Sequence, residues 1–286
     1  MAEKLIDMHM HTYYSDGDLS PNELIEKALK NNIGTMAITD HNTIEGLRNF
    51  DNSYKDKIEI INGIELSAKS LKGTMHILGY DIDIENKILN DKMHELKNNS
   101  FQREISLIEQ LKKDYEIEFD YQDIINLLNS NHNLGRPDLA KLLIKYGKAK
   151  TVNEAFEKYL VSVNKKIKGI NKELDYNECI NLILKSGGIP VLAHPKSLKL
   201  NEEELATLLE KMKLSGLMGI EVYHPTHNDE ERKIFLKFAN KYKFLISGGT
   251  DYHGKITKPD IEIGTGRNNN IKIKKLSLLD EIRKRR

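Results

Sequence analysis

Ten histidines are spread along the 286-residue chain, and most of them stand where a short apolar run ends. KLIDMH leads into His9 and His11, TMAITDH ends on Asp40 and His41, and IINGIELS carries Glu65 close to its end. Further on, IPVLAH ends on His194, GIEVYH holds Glu221 and His224, and FLISGGTDYH closes with Asp251 and His253. Short apolar runs bounded by polar residues read as strands. A metal-type side chain at the end of each one restricts how those strands can be arranged.

The segments between them carry helical signals. Ser20-Pro21 followed by Glu23 combines an N-cap, a proline in the first turn and a capping-box acid, so a helix is predicted to reach residue 31 or 32. A short helix is expected near residues 43–51, and β-like runs over 58–67 and 74–80. From about residue 85 to 169 only helical periods remain, over 91–113, 121–129, 136–146 and 152–160. Alternation then resumes, with helices over 175–186, 201–214 and 227–242 and a last one from about 276. The expected division is a βα body, residues 1–84 and 170–286, interrupted by a helical insertion over 85–169 that covers the site.

Repeated βα units permit a parallel barrel or a doubly wound sheet. A barrel gathers its active site from the C-terminal ends of many strands, as the polar residues here demand. A doubly wound sheet uses one switch point, and no glycine-rich phosphate fingerprint follows the first strand. The α/β barrel is therefore the expected architecture.

Composition excludes several functions. Lys and Arg total 44 against 43 Asp and Glu, a formal +1, so bulk charge selects neither nucleic acid nor membrane. No stretch reaches a membrane span, and the N-terminus breaks its apolar run too early for a signal segment, so a cytoplasmic location without membrane contact is expected. The single cysteine, Cys179, rules out an internal disulfide and a cysteine-built metal site.

Taken singly, each motif has an ordinary alternative. His9 and His11, two apart in a strand, share a face and suit a metal, but two surface histidines read the same way. Asp40 also reads as a helix N-cap, Glu65 as a solvent-facing strand end, and His76, inside TMHILGY, as a core histidine. Taken together, seven strand ends with ligand-type residues point to a metal centre. His224 and His227, in VYHPTH, sit beyond a strand end, where they could hydrogen-bond an anion or protonate a leaving oxygen. Lys165, Lys166, Lys168 and Lys172 read either as a phosphate-attracting cluster or as a solvated loop.

The segments DMHMHTYYSDG, TDHN, GIELS, His76, LAHP and GTDYH, running from residue 7 to 253, resemble the PHP family, named for polymerase and histidinol phosphatase domains. The motif order and the helical insert with GRPD are similar to the PHP phosphoesterases that act on nucleoside bisphosphates, AMP-like compounds and short RNA. The resemblance implies a distorted (β/α)7 TIM-like barrel with a trinuclear site. By motif, His9, His11, Glu65 and Asp251 would hold one metal. Glu65 would bridge to a second, held also by His76 and His194, and Asp16, His41 and His253 would hold a third. Asp40 would support these ligands from behind, and Glu65, Asp251 and His224 would serve catalysis. Arg136, in the GRP motif, is expected to present its planar fork to substrate phosphate, with His227 and Lys165 as further substrate contacts. Asp138 stands where the family motif commonly has histidine.

Imidazole and oxygen ligands without thiolate fit Mn, Fe or Zn, and the resemblance implies up to three such divalent ions. A metal-bridged hydroxide attacking phosphorus is the implied chemistry. The expected activity is removal of phosphate from a nucleotide, either a 3',5'-bisphosphate or an AMP-like compound, or trimming of RNA from its 5' end. No obligate protein partner is inferred. Histidinol-phosphate hydrolysis is the enzymatic alternative, and a non-catalytic nucleic-acid-binding module the alternative of another class.

Overall fold

The computed structural model describes residues 3–128, 135–167 and 174–286. The first half runs β1 (Leu5–Asp7), α1 (Pro21–Lys30), β2 (Ile33–Ile38), α2 (Glu45–Arg48), β3 (Glu59–Ala68) and β4 (Met75–Tyr80). A helical stretch follows: α3 (Lys87–Tyr115), α4 (Tyr121–Leu128), α5 (Arg136–Lys145), α6 (Val152–Ala155), a π-helical turn over Phe156–Leu160 and α7 (Val161–Lys166). The chain then alternates again through α8 (Tyr176–Lys185), β5 (Ile189–Leu192), α9 (Glu202–Leu214), β6 (Gly219–Tyr223), α10 (Asp229–Tyr242) and β7 (Leu245–Gly248), and ends on α11 (Ser277–Arg285). Helix α1 starts where its signals place it: the Ser20 side chain accepts from Glu23 N, and the Glu23 carboxylate accepts from Ser20 N at 2.8 Å.

Strands β1 to β7 lie side by side in sequence order. The sheet is parallel except at β4, which runs antiparallel to both β3 and β5. The antiparallel β4 is a local departure within the expected α/β architecture. Residues 69–74 are too few for a helical crossover, which takes a dozen or more, so β3 and β4 form a hairpin. The reversal has a useful result: the start of β4, with His76, lies at the same rim as the ends of the other strands, because Ser67 pairs with His76.

The chain beyond β7 meets the chain beyond β1. Met8 N donates to Gly248 O at 3.2 Å, Asp251 N to His9 O at 2.8 Å, and His11 N to Tyr252 O at 2.9 Å. These bonds join the two ends of the sheet at the functional rim. Residues such as Leu24, Ile180, Ile183, Leu209 and Phe235 pack helices against the sheet. A separate cluster gathers Ile6, Met8, Ala37, Ile61, Leu78 and Val191 from five strands and covers them with Leu278, Leu279 and Ile282 of α11.

The helical stretch has its own core, in which Leu107 and Leu111 of α3 pack with Leu139 and Leu143 of α5 and with Tyr159, Leu160 and Val163. Glu104 is buried on this same helix, with Arg103 Nη2 3.3 Å from its Oε1. Burial raises its carboxyl to about 7; Arg103 only partly offsets this, Asp138 adds to it and Arg136 opposes it. Between the ordinary value of 4.5 and about 7 the folded state therefore binds more protons than the unfolded state, so stability falls as pH rises through that window. Glu104→Gln is expected to remove up to about 3 kcal/mol of this pH dependence, read as the difference between wild-type and variant urea unfolding at pH 5 and pH 8. Equal pH dependence in the two proteins rejects the assignment. Among the described residues, no helix is long and apolar enough to cross a membrane.

Candidate metal centre

Alternation along the extended chain after β1 puts Asp7, His9 and His11 on one side, and all three are fully buried. Glu65, on β3, lies at the middle of the cluster. Its Oε2 is 3.1 Å from His9 Nε2, 3.2 Å from His11 Nε2 and 3.2 Å from His41 Nδ1. Its Oε1 is 2.9 Å from His76 Nδ1 and 3.0 Å from His194 Nε2. Asp251 Oδ1 approaches His11 Nε2 at 3.3 Å and His9 Nε2 at 3.5 Å. Asp16 Oδ1 is 3.2 Å from His253 Nε2 and 3.6 Å from His11 Nδ1.

Three groups result whose donor atoms all lie within 4.8 Å of one another: His9, His11, Glu65 and Asp251; His41, Glu65 and His76; and His11, Asp16, His41 and His253. His194 adjoins the second, with Nε2 3.3 Å from His76 Nδ1. The family resemblance implies one group each for His41 and His11. In the structure His41 faces two groups, and the two nitrogens of His11 face different ones.

The donor set fits divalent cations. His9 Nε2, His11 Nε2, Asp16 Oδ1 and Glu65 Oε2 are all buried without a hydrogen-bond partner, and such atoms are costly unless a cation takes up their lone pairs. The electrostatics agree. Burial pushes the Glu65, Asp16 and Asp251 carboxyls up, but neighbouring imidazoles, and Lys258 for Asp251, outweigh it and hold all three well below their ordinary values. Burial pushes His11 down, but the Asp251 and Glu65 carboxylates beside it lift it to about 9. The carboxylates that lift His11 also draw metal ions, whereas burial pushes His41 down to about 3 and lowers His253, which leaves both neutral and able to act as ligands.

Several buried groups orient the ligands. Glu221 Oε1 accepts from His9 Nδ1 at 3.0 Å, so the His9 lone pair is on Nε2 and faces Glu65; Glu221 Oε2 accepts from His194 N at 2.7 Å. His253 Nδ1 donates to Asp251 O at 2.8 Å, which directs its Nε2 lone pair to Asp16. Asp7 accepts from Thr250 N at 2.8 Å, Thr250 Oγ1 at 2.6 Å and Gly264 N at 2.9 Å, fixing the residue before Asp251. Asp251 and His194 have positive φ, 52° and 24°, unusual for residues with a Cβ and found where surrounding bonds enforce them. Asp40 binds Thr12 N, Thr12 Oγ1 and Ser15 Oγ, each at 2.7 Å, and so holds the loop that carries Asp16. Glu221→Gln is expected to weaken Mn²⁺ binding about 10- to 100-fold in a calorimetric titration, with the fold retained. An unchanged affinity would show that the His9 contact is dispensable.

A cleft of about 680 Å³ opens over the cluster, lined by Asp16, His41, Glu65, His76, His194, His224, Asp251 and His253 together with Pro137, Phe156 and Lys258. A side chamber of about 230 Å³ brings Arg103 and Arg136 beside Asp16, His41 and His76. Arg136 lies over the Phe156 ring at 5.5 Å. Arg103 escaped the sequence reading, because on a long charged helix nothing marks one arginine; Glu221 appeared there only as a strand-end acid.

His224 lies in the cleft, its Nε2 3.3 Å from Asp251 Oδ2. Thr226 N donates to its Nδ1 at 3.2 Å, so its proton is on Nε2. His227 is placed differently from its expected role at substrate: it is buried behind His224 against Phe235, with Nδ1 on Val222 O at 2.9 Å. Lys165 is exposed on α7 and is not among the residues lining these cavities. Lys168, Lys172 and the start of the GRPD turn, Asn133 and Leu134, lie outside the described residues.

Fold and site together define a metal-dependent hydrolase. Residues 7–178, more than half of the chain, match the model of the PHP domain, and the protein belongs to the PHP family. It is 29% identical over 263 residues to the 5'-3' exoribonuclease Rnm of Salmonella typhimurium, covering 91% of this chain and 88% of that one. It is 25% identical over 249 residues to the 3',5'-nucleoside bisphosphate phosphatase of Chromobacterium violaceum, covering 87% of each. A solved structure from Bifidobacterium adolescentis, described as a metal-dependent phosphoesterase, superposes with a TM-score of 0.80 at 25% identity, over 99% of this chain and 96% of that one. The chain is accordingly a metal-dependent phosphoester hydrolase.

Proposed function

We propose that the protein hydrolyses a nucleotide phosphate ester, either the 3'-phosphate of a 3',5'-nucleoside bisphosphate or the 5'-terminal linkage of short RNA. The observation that carries this reading is the Arg103–Arg136 chamber next to the cluster. Its two guanidinium groups suit a second phosphate on the same substrate. They repel the ammonium of histidinol phosphate, so that alternative is disfavoured. The orphaned ligand atoms disfavour a non-catalytic module. Relatives named as an exoribonuclease and as a bisphosphate phosphatase support the same two substrate classes.

In this reading His9, His11, Glu65 and Asp251 hold one divalent ion, Glu65, His76 and His194 a second, and Asp16, His41 and His253 a third, with Mn, Fe and Zn all compatible. Such ions neutralise phosphate oxygens and lower the pKa of water. Arg103 and Arg136 bind the non-reacting phosphate and so fix the substrate's register. His224 presents its Nε2 proton to an oxygen of the reacting phosphate or of the leaving group. Glu221, Asp7 and Asp40 keep the ligands aimed.

The test is phosphate or nucleotide release by Mn²⁺-loaded protein from adenosine 3',5'-bisphosphate, AMP, histidinol phosphate and a 5'-phosphorylated oligoribonucleotide. Turnover of the bisphosphate or the oligoribonucleotide, with KM raised at least about tenfold in Arg136→Ala, is expected. Turnover of histidinol phosphate alone would overturn the reading.

A further inference from the structure

We propose that a third chamber, on the side of the cluster away from the arginine pair, is an anion subsite for the phosphodiester that follows the scissile phosphate. The preferred substrate is then an oligoribonucleotide, of which a mononucleotide bisphosphate is the one-residue limit. This inference rests on the reading of the cluster as the hydrolytic centre.

The chamber has a volume of about 390 Å³ and is lined by Lys258 and Arg267, with Asn153, Thr226 and Asp260. It shares His224, Asp251, Thr257 and Lys258 with the main cleft, which in turn shares Asp16, His41 and His76 with the arginine chamber. The three spaces are therefore continuous, with the cluster in the middle. A 3',5'-bisphosphate has two phosphates and fills two of the three positions. An RNA end fills all three: its 5'-phosphate at Arg103 and Arg136, the first internucleotide phosphate at the cluster, and the next at Lys258 and Arg267. In both cases the water oxygen bonds to phosphorus, the bond from phosphorus to the 3' oxygen of the first nucleoside breaks, and that oxygen takes the proton.

The chamber's wall is fastened in place. Asp18 accepts from Ile256 N at 2.6 Å, Thr257 N at 3.2 Å and Thr257 Oγ1 at 2.9 Å, which sets the course of the loop leading to Lys258. Gly254 takes φ 97° where a Cβ would lie 2.3 Å from the Asp18 carboxylate. The same carboxylate is 3.4 Å from Lys141 Nζ, on the helix that begins with Arg136, so the two outer subsites are tied through one residue. Lys258 donates to Asp251 Oδ2 at 2.5 Å and Asp251 O at 3.4 Å, which leaves a third ammonium proton for a ligand. Arg267 is 2.6 Å from Asp260, and both are about half exposed, so this pair yields readily to a phosphate.

The experiment compares wild type with Arg267→Glu and Lys258→Gln, all loaded with Mn²⁺. It reads kcat/KM for a short 5'-phosphorylated oligoribonucleotide and for adenosine 3',5'-bisphosphate, and the anisotropy of a 3'-labelled phosphorothioate oligoribonucleotide on binding. The expected result is that the oligoribonucleotide-to-bisphosphate ratio of kcat/KM falls at least about tenfold in Arg267→Glu, with a matching loss of affinity and a shallower salt dependence of binding. A ratio and an affinity unchanged in both variants overturn the subsite. So does wild-type protein that hydrolyses the bisphosphate but neither binds nor cleaves the oligoribonucleotide. If neither substrate turns over, the proposed function fails, while the binding measurement still decides the subsite.

Discussion

Glu65→Ala is expected to abolish turnover, lowering kcat by about a thousandfold or more, and to release most of the bound metal. Among the described residues no other side chain touches so much of the centre: the two oxygens of Glu65 lie within 3.2 Å of nitrogens from five histidines. It also belongs to two of the three ligand groups, so its loss unmakes both at once. The neighbouring imidazoles would be left without their shared anion, and the field that attracts cations would weaken. Elemental analysis after gel filtration and a phosphate-release assay check the two effects separately. A variant that keeps its metal and a tenth of its activity would show that Glu65 is not essential to metal retention or turnover.

Gly249→Ala is expected to be nearly as damaging by a different route. A Cβ at Gly249 would lie 2.3 Å from His9 N and 2.5 Å from His9 Cβ, closer than packed atoms come. The obstacle is main chain and cannot swing aside, and it sits where β7 passes into the segment that bonds to the chain after β1. Relieving the clash must separate His9 from Asp251, so metal affinity and stability fall together. A loss of at least about 3 kcal/mol in urea unfolding is expected, with weakened Mn²⁺ binding in any protein that still folds. Wild-type stability in this variant would mean that the crossing is looser than described.

The rim of polar side chains was legible in the sequence because strand periodicity and ligand chemistry coincide there. A polar side chain closing an apolar run has few reasons to exist, and the structure brings His9, His11, His41, Glu65, Asp251 and His253 together. His76 was the hard case. Inside an apolar run it looks like a core residue, and only the reversed direction of β4 brings it to the rim. That reversal follows from the length of one loop, a signal carried by no single residue. Arg103, Lys258 and Asp18 left no periodic trace, since a charged residue on a helix face or loop has the same pattern whether it faces solvent or a cleft. His227 misled for a related reason: a histidine at a helix start reads as reactive, and its burial against Phe235 is decided by packing from α10.

The junction of the chain after β1 with the chain after β7 also sets a timetable. His9 and His11 are synthesised more than two hundred residues before Asp251 and His253. Contacts of such sequence separation are slow to form and come late in folding. A nascent chain carrying only the early histidines offers a cation an open and incomplete set of ligands. A complete set of ligands would therefore form only once the chain after β7 has docked against the chain after β1.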